Sequence, residues 1–437
     1  MSTGAPPAGV ARPPLAAPIL RRYNFRVWIS LMFSSLETSP KMKSLKVGCI
    51  GNMNNSMYCL TRYLRDRGID AELLLLSLEQ SHFLPSNDST SEDWRIYTRQ
   101  LAWGSPESFD TTHPQRIAED LAPYEFLVGC NFAPAFIQRA GRILDIFCPH
   151  GSDYLEVPFY PGADGKSLSN LALAQQAAIR DTPTIFCPFQ FVEREEGWKR
   201  LEKRGERFFM PIPFIYLPAY SDEKIQELAA NSAPYVKMRA LREAHDLLIF
   251  NHSRHVWASP ERAYDFKGSD VLLRGFAEFL RQRPQTKACL ATFEYGPDVA
   301  ASKELIKTLG IEDRVFWFPQ SNRREIMPCL ALADIACSEF VFSGLLSCVI
   351  CESLAMGKPI LGKRLDETYD WKYDKLYPML NAATPSEVAA RLIASCDDTS
   401  HLARLGAEGR LWLEQVCINP TLDKMEQLIR QKSLAGK

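Results

Sequence analysis

The chain has 437 residues, of which 24% are charged and 46% hydrophobic, and these values exclude a disordered or low-complexity protein. Its 51 lysines and arginines are balanced by 52 aspartates and glutamates, so no overall positive field would attract nucleic acid or anionic lipid. No apolar run reaches the ~18 residues that a membrane span requires, which predicts a soluble protein. This length favours two large domains or three ordinary ones.

Residues 1–42 differ in composition from the rest of the chain. Alanine, proline and glycine dominate up to Pro18, and a short apolar patch at 27–33 follows two arginines. The patch is short and no small-residue cleavage site follows it cleanly, which argues against a targeting signal. We interpret residues 1–42 as a disordered extension or a mis-assigned start, with folding beginning near Met42.

A regular alternation of strands and helices begins at Lys46. Residues 47–50 form a predicted strand, a helical stripe ends at Gly68, and residues 71–76 form the next strand. Strand–helix–strand is the unit of a parallel sheet. Further buried runs follow at 126–130, 143–148, 184–187 and 208–215. We therefore predict a doubly wound domain over 43–216.

A second series of buried runs occupies 246–415, which we predict to be a second doubly wound domain. Its strand-like runs are 247–250, 288–293, 315–318, 334–337 and 359–361. Residues 217–245 are polar and alanine-rich without a strand signal, which favours a helical linker. Thr384-Pro385 with Glu387 is typical of a helix start, and residues 416–437 are expected to form a C-terminal helix. The predicted fold class is α/β, with two Rossmann-like domains facing a cleft.

The 12 cysteines do not predict a disulfide framework or a metal site. Only Cys348 and Cys351 stand three positions apart, and no second pair completes a metal-binding set. Others, such as Cys130 and Cys187, fall in apolar runs where a thiol behaves as a small hydrophobe. A reducing cytoplasm is therefore the expected compartment.

Charged side chains follow several of the predicted strands, and ligands of open parallel sheets bind beyond the carboxyl ends of the strands. His150 follows one strand of the first domain, while Arg254 and Lys267 follow the first strand of the second. Arginine and lysine suit a diphosphate, the one by bidentate contact and the other as a point charge. A carboxylate such as Glu352 can hold the hydroxyls of a ribose. These four side chains are the predicted catalytic group.

Other candidates for donor binding lie in the loops after the strands. Backbone at Gly51 can approach a phosphate closely, and a helix N-terminus near Leu346 would add uncharged donors. The predicted donor-binding residues are Gly51, Asn52, Glu294, Glu339, Gly344, Leu345, Leu346 and Ser347. Each side chain taken alone also has a structural interpretation, His150 as a buried or surface histidine and Arg254 as a surface charge. The joint arrangement at the strand ends is what favours a site.

Through segments 150–153, 253–268, 309–315 and 352–359, residues 46–415 resemble the retaining, nucleotide-sugar-dependent glycosyltransferases of the GT-B architecture, chiefly family four, also called glycosyl transferases group 1. Ser253-Arg254 through Lys267-Gly268 is similar to the element that grips the donor diphosphate in that family. Four segments carry the resemblance: 253–268, 309–315, 352–359 with the sequence Glu-Ser-Leu-Ala-Met-Gly-Lys-Pro, and 150–153 with the sequence His-Gly-Ser-Asp.

The resemblance implies roles for individual residues. Glu352 would bind ribose, His150 would approach the transferred sugar, and the terminal helix would cross back onto the first domain. One departure concerns the sugar hydroxyls, because Gly344 stands where the family usually has a glutamate, and Ser347 stands where a glycine is common. We expect Glu339 to supply the missing carboxylate.

The sequence thus predicts a retaining, hexosyltransferase-like enzyme that moves a sugar from a nucleotide diphosphate to a hydroxyl of a glycan or a lipid-linked glycan in polysaccharide biosynthesis. No cofactor is expected, and no metal, since no Asp-x-Asp motif is visible. Peripheral contact with the inner face of the membrane stays open. So do two alternatives, a sugar-nucleotide epimerase of the same architecture and a non-catalytic sugar- or nucleotide-binding protein. A nicotinamide-dependent oxidoreductase is disfavoured because residues 51–56 lack the Gly-x-Gly-x-x-Gly pattern.

Overall fold

Two parallel β-sheets, one in each half of the chain, organise the protein. The computed structural model describes residues 45–89, 91–187, 204–230, 232–342 and 344–435. The extension predicted at 1–42 lies outside the described residues.

The first sheet belongs to the amino-terminal half, and its seven described strands run in the order β3-β2-β1-β4-β5-β6-β7 with every pairing parallel. The strands are β1 (Val47–Ile50), β2 (Ala71–Leu75), β3 (Thr98–Gln100), β4 (Phe126–Gly129), β5 (Ile146–Phe147), β6 (Thr184–Phe186) and β7 (Glu206–Phe208). The described α-helices among them are α1 (Ser56–Asp66), α2 (Pro114–Leu121), α3 (Ala133–Arg139), α4 (Ser152–Leu155) and α5 (Asn170–Asp181). The strand order reverses between β1 and β4, so the carboxyl ends of these two strands flank the point where the winding changes direction.

The second sheet has six described strands in the order β10-β9-β8-β11-β12-β13, again all parallel. The strands are β8 (Leu247–Asn251), β9 (Ala288–Phe293), β10 (Val315–Phe318), β11 (Ile335–Cys337), β12 (Ile360–Gly362) and β13 (Leu380–Asn381). Its described helices are α8 (Ser269–Gln282), α9 (Val299–Leu309), α10 (Arg323–Leu332), α11 (Cys348–Ala355), α12 (Pro385–Asp397), α13 (Thr399–Trp412) and α14 (Asn419–Ala435). Along the chain, α6 (Asp222–Ala229) and α7 (Ala233–Ala244) connect the last strand of the first sheet to the first strand of the second. Both sheets are doubly wound, which confirms the predicted fold class.

The buried run predicted at 208–215 is not a strand beyond its first residue. β7 ends at Phe208, and Pro211 and Pro213 follow it. Proline has no N–H to donate to a sheet, so the ladder cannot continue through these positions. The run stays apolar because Ile212 and Ile215 pack into the core, each at most 2% exposed.

Two short strands, β3 and β13, were not anticipated from the sequence. β3 lies at the edge of the first sheet and its residues are polar and partly or fully exposed, so it has no hydrophobic pattern to detect. β13 has only two residues at the edge of the second sheet. Both are held by their pairing to a buried neighbour rather than by their own side chains.

The helix start predicted at Thr384 is confirmed. The Thr384 side chain accepts from the backbone N–H of Glu387, and the Glu387 carboxylate accepts from the Thr384 backbone N–H in return. This reciprocal cap satisfies two donors that a helix N-terminus otherwise leaves unpaired. α12 then packs closely on α8, where a side chain at Gly275 would meet Val388 at 2.5 Å.

The carboxyl-terminal helices contact the first domain. A π-helical segment, Leu413–Ile418, joins α13 to α14 without a break. From α14 the Thr421 hydroxyl donates to the carbonyl of Pro211 at 2.8 Å, and Asp423 pairs with Arg67 at 2.7 Å. The last helix therefore ties the second half of the chain to the first. No helix among the described residues combines the length and the apolarity needed to cross a membrane.

Candidate active site

A cleft of about 950 Å³ lies between the two domains, at the carboxyl ends of both sheets. The first domain contributes residues after β1 and β5, including Asn54 and His150. The second contributes residues after β8, β10, β11 and β12, including Arg254 and Lys267. This is where two doubly wound domains are expected to bind a ligand.

The structure brings most of the predicted site residues together in this cleft. Those that line it are His150, Arg254, Lys267, Glu339, Gly344, Leu346, Ser347 and Glu352. These residues come from segments that are far apart in the sequence, and the arrangement of the two sheets brings them to one cleft.

Four predicted residues do not line the cleft, which corrects the prediction for their side chains. Asn52 is fully buried and accepts from the Tyr58 backbone N–H at 2.8 Å, so its amide stabilises its own loop. Leu345 is 2% exposed and packs in the core. Glu294 lies outside the lining and pairs with Lys303 at 2.5 Å. Gly51 has φ +81°, which favours glycine, and a Cβ at this position would lie 3.1 Å from Cys130 Sγ, at the end of the neighbouring strand β4.

The His150 loop is fixed by a carboxylate whose part the sequence did not reveal. Gly151 has φ +146°, and the Asp153 side chain accepts from the backbone N–H groups of His150 and Gly151 at 2.9 and 3.0 Å. Its other oxygen accepts from the Asn131 N–H at 2.9 Å. Burial nevertheless raises the pKa of Asp153 to about 6. These bonds hold the histidine at the edge of the cleft.

His150 itself is neutral at physiological pH. Its ring lies against Phe214, with centroids 5.7 Å apart, and burial lowers its pKa to about 4. A neutral imidazole can donate and accept a hydrogen bond but adds no positive charge to the cleft.

The predicted basic pair is already matched by carboxylates. Nη2 of Arg254 donates to both carboxylate oxygens of Asp265, at 2.9 and 3.0 Å. Lys267 lies 3.3 Å from Asp265 and 2.8 Å from Glu339. Glu339 is therefore held by Lys267. A diphosphate at this place would have to compete with both carboxylates.

Glu352 is buried at the floor of the cleft, 5% exposed, on the second turn of α11. Its Oε1 accepts from Arg323 Nε at 2.7 Å, and its Oε2 lies 3.2 Å from His252 Nε2. Burial alone would raise the pKa of this carboxyl, but the Arg323 charge and the His252 contact hold it below its usual range. Glu352 is therefore an anion with two of its acceptor positions occupied.

Arg323 connects Glu352 to the first domain. Its guanidinium also donates to Asp88 at 3.2 Å and to the carbonyl of Phe214 at 3.0 Å. Asp88 is 2% exposed and pairs further with Arg62. We call the series Arg62–Asp88–Arg323–Glu352 the interdomain ion chain. No sequence pattern indicates this ion chain, since Asp88 lies in a polar stretch without periodicity.

Acid is expected to destabilise the protein through its buried histidines. His255 contacts Ser302 and Thr292, both at 2.9 Å, and burial lowers its pKa to about 4. Because the folded pKa is below the unfolded value of about 6.5, the stability that neutral His255 contributes is present above pH 6.5 and is lost as pH falls towards 4. His255→Gln should therefore reduce the fall in the free energy of unfolding between pH 7 and 4.5 by about 1–3 kcal/mol, measured by urea denaturation at the two pH values.

The matched control is His401→Gln, because His401 lies in the first turn of α13 and is partly exposed to solvent. This variant should keep the steep acid dependence of the wild type. An acid dependence that is equally steep in His255→Gln would show that His255 is not a source of it.

The class of protein follows from the sheets and from a match in the second domain. Two Rossmann-like sheets facing a cleft are the GT-B architecture. Residues 243–368 match the sequence model of the family described as Glycosyl transferases group 1. This confirms the resemblance seen in the sequence, and the matched segment contains Arg254, Lys267, Glu339 and Glu352. The second domain thus contains a segment that matches the group 1 glycosyltransferases.

Solved structures agree on the fold. Alr3699/HepE of Anabaena in complex with UDP is 14% identical, with a TM-score of 0.57 over 89% of this chain and 100% of its own. Sucrose-phosphate synthase of Thermosynechococcus elongatus is 13% identical, with a TM-score of 0.58 over 90% of this chain and 100% of its own. A putative UDP-N-acetylglucosamine 2-epimerase of Listeria monocytogenes is 11% identical, with a TM-score of 0.52 over 84% of this chain and 91% of its own. No curated protein matches the chain in sequence.

Among the residues that the structure describes, no group of three or more histidine, cysteine, aspartate or glutamate side chains is arranged to hold a metal ion.

Proposed function

We propose that this protein transfers a sugar from a nucleotide diphosphate donor to a hydroxyl of a glycan or a lipid-linked glycan, with retention of the anomeric configuration. The observation that carries the proposal is the Arg254–Lys267 pair at the strand ends of a group 1 glycosyltransferase domain, across a cleft from His150. The structure of the Anabaena protein in complex with UDP-glucose supports a nucleotide sugar as the donor.

Arg254 and Lys267 bind the leaving diphosphate in this proposal. Asp265 contacts both cations, and the phosphate oxygens of a bound donor replace part of that contact. Preorganised charges aimed at a developing negative charge supply the largest catalytic effect in many enzymes. These side chains take the place of a metal ion, and no resident cofactor takes part.

Glu352 binds the ribose of the donor. A carboxylate can accept about four hydrogen bonds, and Arg323 and His252 use two of these positions. Glu352 lines the cleft, and in this proposal the ribose hydroxyls donate to the remaining positions. Arg323 then has a second use, because it fixes the orientation of the carboxylate.

His150 positions the donor sugar from the first domain, and its backbone stabilises positive charge on the anomeric carbon. The acceptor hydroxyl attacks that carbon from the side of the leaving group. The bond from the carbon to the phosphate oxygen breaks, and this oxygen takes the acceptor's proton. The proposed setting is polysaccharide biosynthesis in the cytoplasm, and peripheral contact with the inner face of the membrane stays open.

A sugar-nucleotide epimerase is the second candidate. It is favoured by the similarity in fold to the putative epimerase of Listeria monocytogenes, and by Gly344 at the position where the family usually has a glutamate. An epimerase changes the sugar while the nucleotide stays attached, and a transferase releases the nucleoside diphosphate.

A two-step experiment separates these functions. A thermal-shift screen with uridine, guanosine, adenosine and thymidine diphosphates first identifies the base, since a ligand at one hundred times its Kd adds about 2.7 kcal/mol. The matching nucleotide sugars are then incubated with and without a mixture of glycan acceptors. We expect nucleoside diphosphate to be released with acceptor and a product that keeps the anomeric configuration by NMR. A changed sugar still joined to its nucleotide would establish the epimerase, and binding without turnover would leave a binding protein.

A further inference from the structure

Lys363 follows β12 and lines the cleft, yet the reaction proposed above does not use it. Its side chain is partly buried, and Nζ donates to the backbone carbonyl of Val341 at 3.0 Å. Among the described residues no carboxylate pairs with it. A carbonyl supplies one acceptor and no charge, whereas an ammonium group has three donors. Lys363 therefore keeps a full charge and spare donors at the wall of the cleft.

The other lysines and arginines that line the described part of the cleft are matched by carboxylates. Arg254 and Lys267 are balanced by Asp265 and Glu339, and Arg323 is balanced by two carboxylates, those of Asp88 and Glu352. Among the cationic side chains in this part of the cleft, Lys363 is thus the one whose charge no carboxylate balances. An anion would meet a net attraction here.

The cleft also has room for a substituent at Gly344, three residues after Val341, whose carbonyl Lys363 contacts. A Cβ built at Gly344 meets no atom within 4 Å, so the cleft is open at that position. Gly344 places neither a side chain nor a negative charge in the cleft that it lines. The nearby carboxylate of Glu339 is held by Lys267 at 2.8 Å, which offsets its repulsion of an anion.

We propose that the donor is a nucleotide sugar whose sugar carries a carboxylate, a uronic acid, and that Lys363 binds this carboxylate. The inference rests on the proposed function. We assign this carboxylate to the donor rather than to the acceptor because Lys363 lies beside the residues of the second domain that are proposed to bind the diphosphate. Its backbone N–H donates to the Glu339 carbonyl at 2.8 Å, and the Glu339 side chain contacts Lys267. The sugar is the part of the donor attached directly to the diphosphate that these residues bind.

Two matched pairs of donors test the inference by calorimetry: UDP-glucose against UDP-glucuronate, and GDP-mannose against GDP-mannuronate. The informative pair is the one whose bare nucleoside diphosphate binds more tightly. The wild type should bind the uronate at least about tenfold more tightly than the neutral sugar, a difference of about 1.4 kcal/mol. Lys363→Gln should abolish this preference and leave the affinity for the bare diphosphate unchanged. Lys363→Arg should retain the preference, and Lys372→Gln, at an exposed lysine nearby, should behave as the wild type.

Three results would overturn the inference. Equal affinity of the wild type for both members of the informative pair would show that the donor sugar is not a uronic acid. This comparison uses the wild type alone, so it does not depend on the folding of a variant. An equal loss of affinity for the bare diphosphate and for the uronate in Lys363→Gln makes Lys363 a phosphate contact instead. Failure of every nucleoside diphosphate to bind the wild type removes the proposed function together with the inference, whereas the first two results leave that function intact.

Discussion

Replacing Arg323 with methionine is expected to lower the free energy of unfolding by about 3–5 kcal/mol, the cost of removing one partner from a buried ion pair. The guanidinium lies between two carboxylates, at 2.7 Å from Glu352 and 3.2 Å from Asp88, and all three side chains are at most 8% exposed. Methionine fills much of the volume but leaves an uncompensated negative charge in the interior. The shift in the midpoint of urea denaturation measures the effect.

Arg324 offers a matched control on the same helix. It follows Arg323 directly, is partly exposed, and forms no ion pair with another described residue, so Arg324→Met should change stability by less than about 1 kcal/mol. Adding Glu352→Gln to Arg323→Met should recover part of the loss, because it removes the charge left behind. A loss below 1 kcal/mol in Arg323→Met would show that the interdomain ion chain does not stabilise the fold.

Replacing Lys267 with methionine is expected to raise the activation free energy by about 2–4 kcal/mol, the scale of one preorganised electrostatic contact. This lowers kcat/KM roughly 30- to 1,000-fold. The variant loses a cation from the diphosphate site and also releases Glu339, whose charge would then repel the leaving phosphate. Both effects act on the transition state. Steady-state kinetics with the donor identified by the thermal-shift screen provide the measurement.

Lys307→Met is the control, since this lysine lies on the exposed side of α9, away from the cleft. Its kinetics should match those of the wild type. The double variant Lys267→Met with Glu339→Gln should regain part of the lost activity if repulsion by Glu339 contributes. Full activity in Lys267→Met, or complete loss of wild-type activity with EDTA, would contradict the assignment of Lys267 to the leaving diphosphate.

Local sequence patterns predicted much of the fold because they record burial and backbone preference residue by residue. The apolar runs of β1, β8 and β9 lie on strands that are buried on both faces, and this burial is what the pattern reports. The cap at Thr384 depends on groups three residues apart, so it too is local. The resemblance to a family added the identities of Arg254, Lys267 and Glu352, which strand ends alone do not distinguish from surface charges.

What surrounds those residues was decided by the tertiary structure. Asp88 and Arg323 are 235 positions apart, and nothing in either segment announces the other. Glu339 is bound by Lys267 and Asn52 is turned into its own loop, because loop conformation sets the direction of a side chain and the sequence pattern does not. The sequence by itself therefore determined which elements form and which residues follow the strands. The pairing of charges in the cleft was determined only when the two sheets came together, since a buried ion needs a partner from whichever segment folding places beside it.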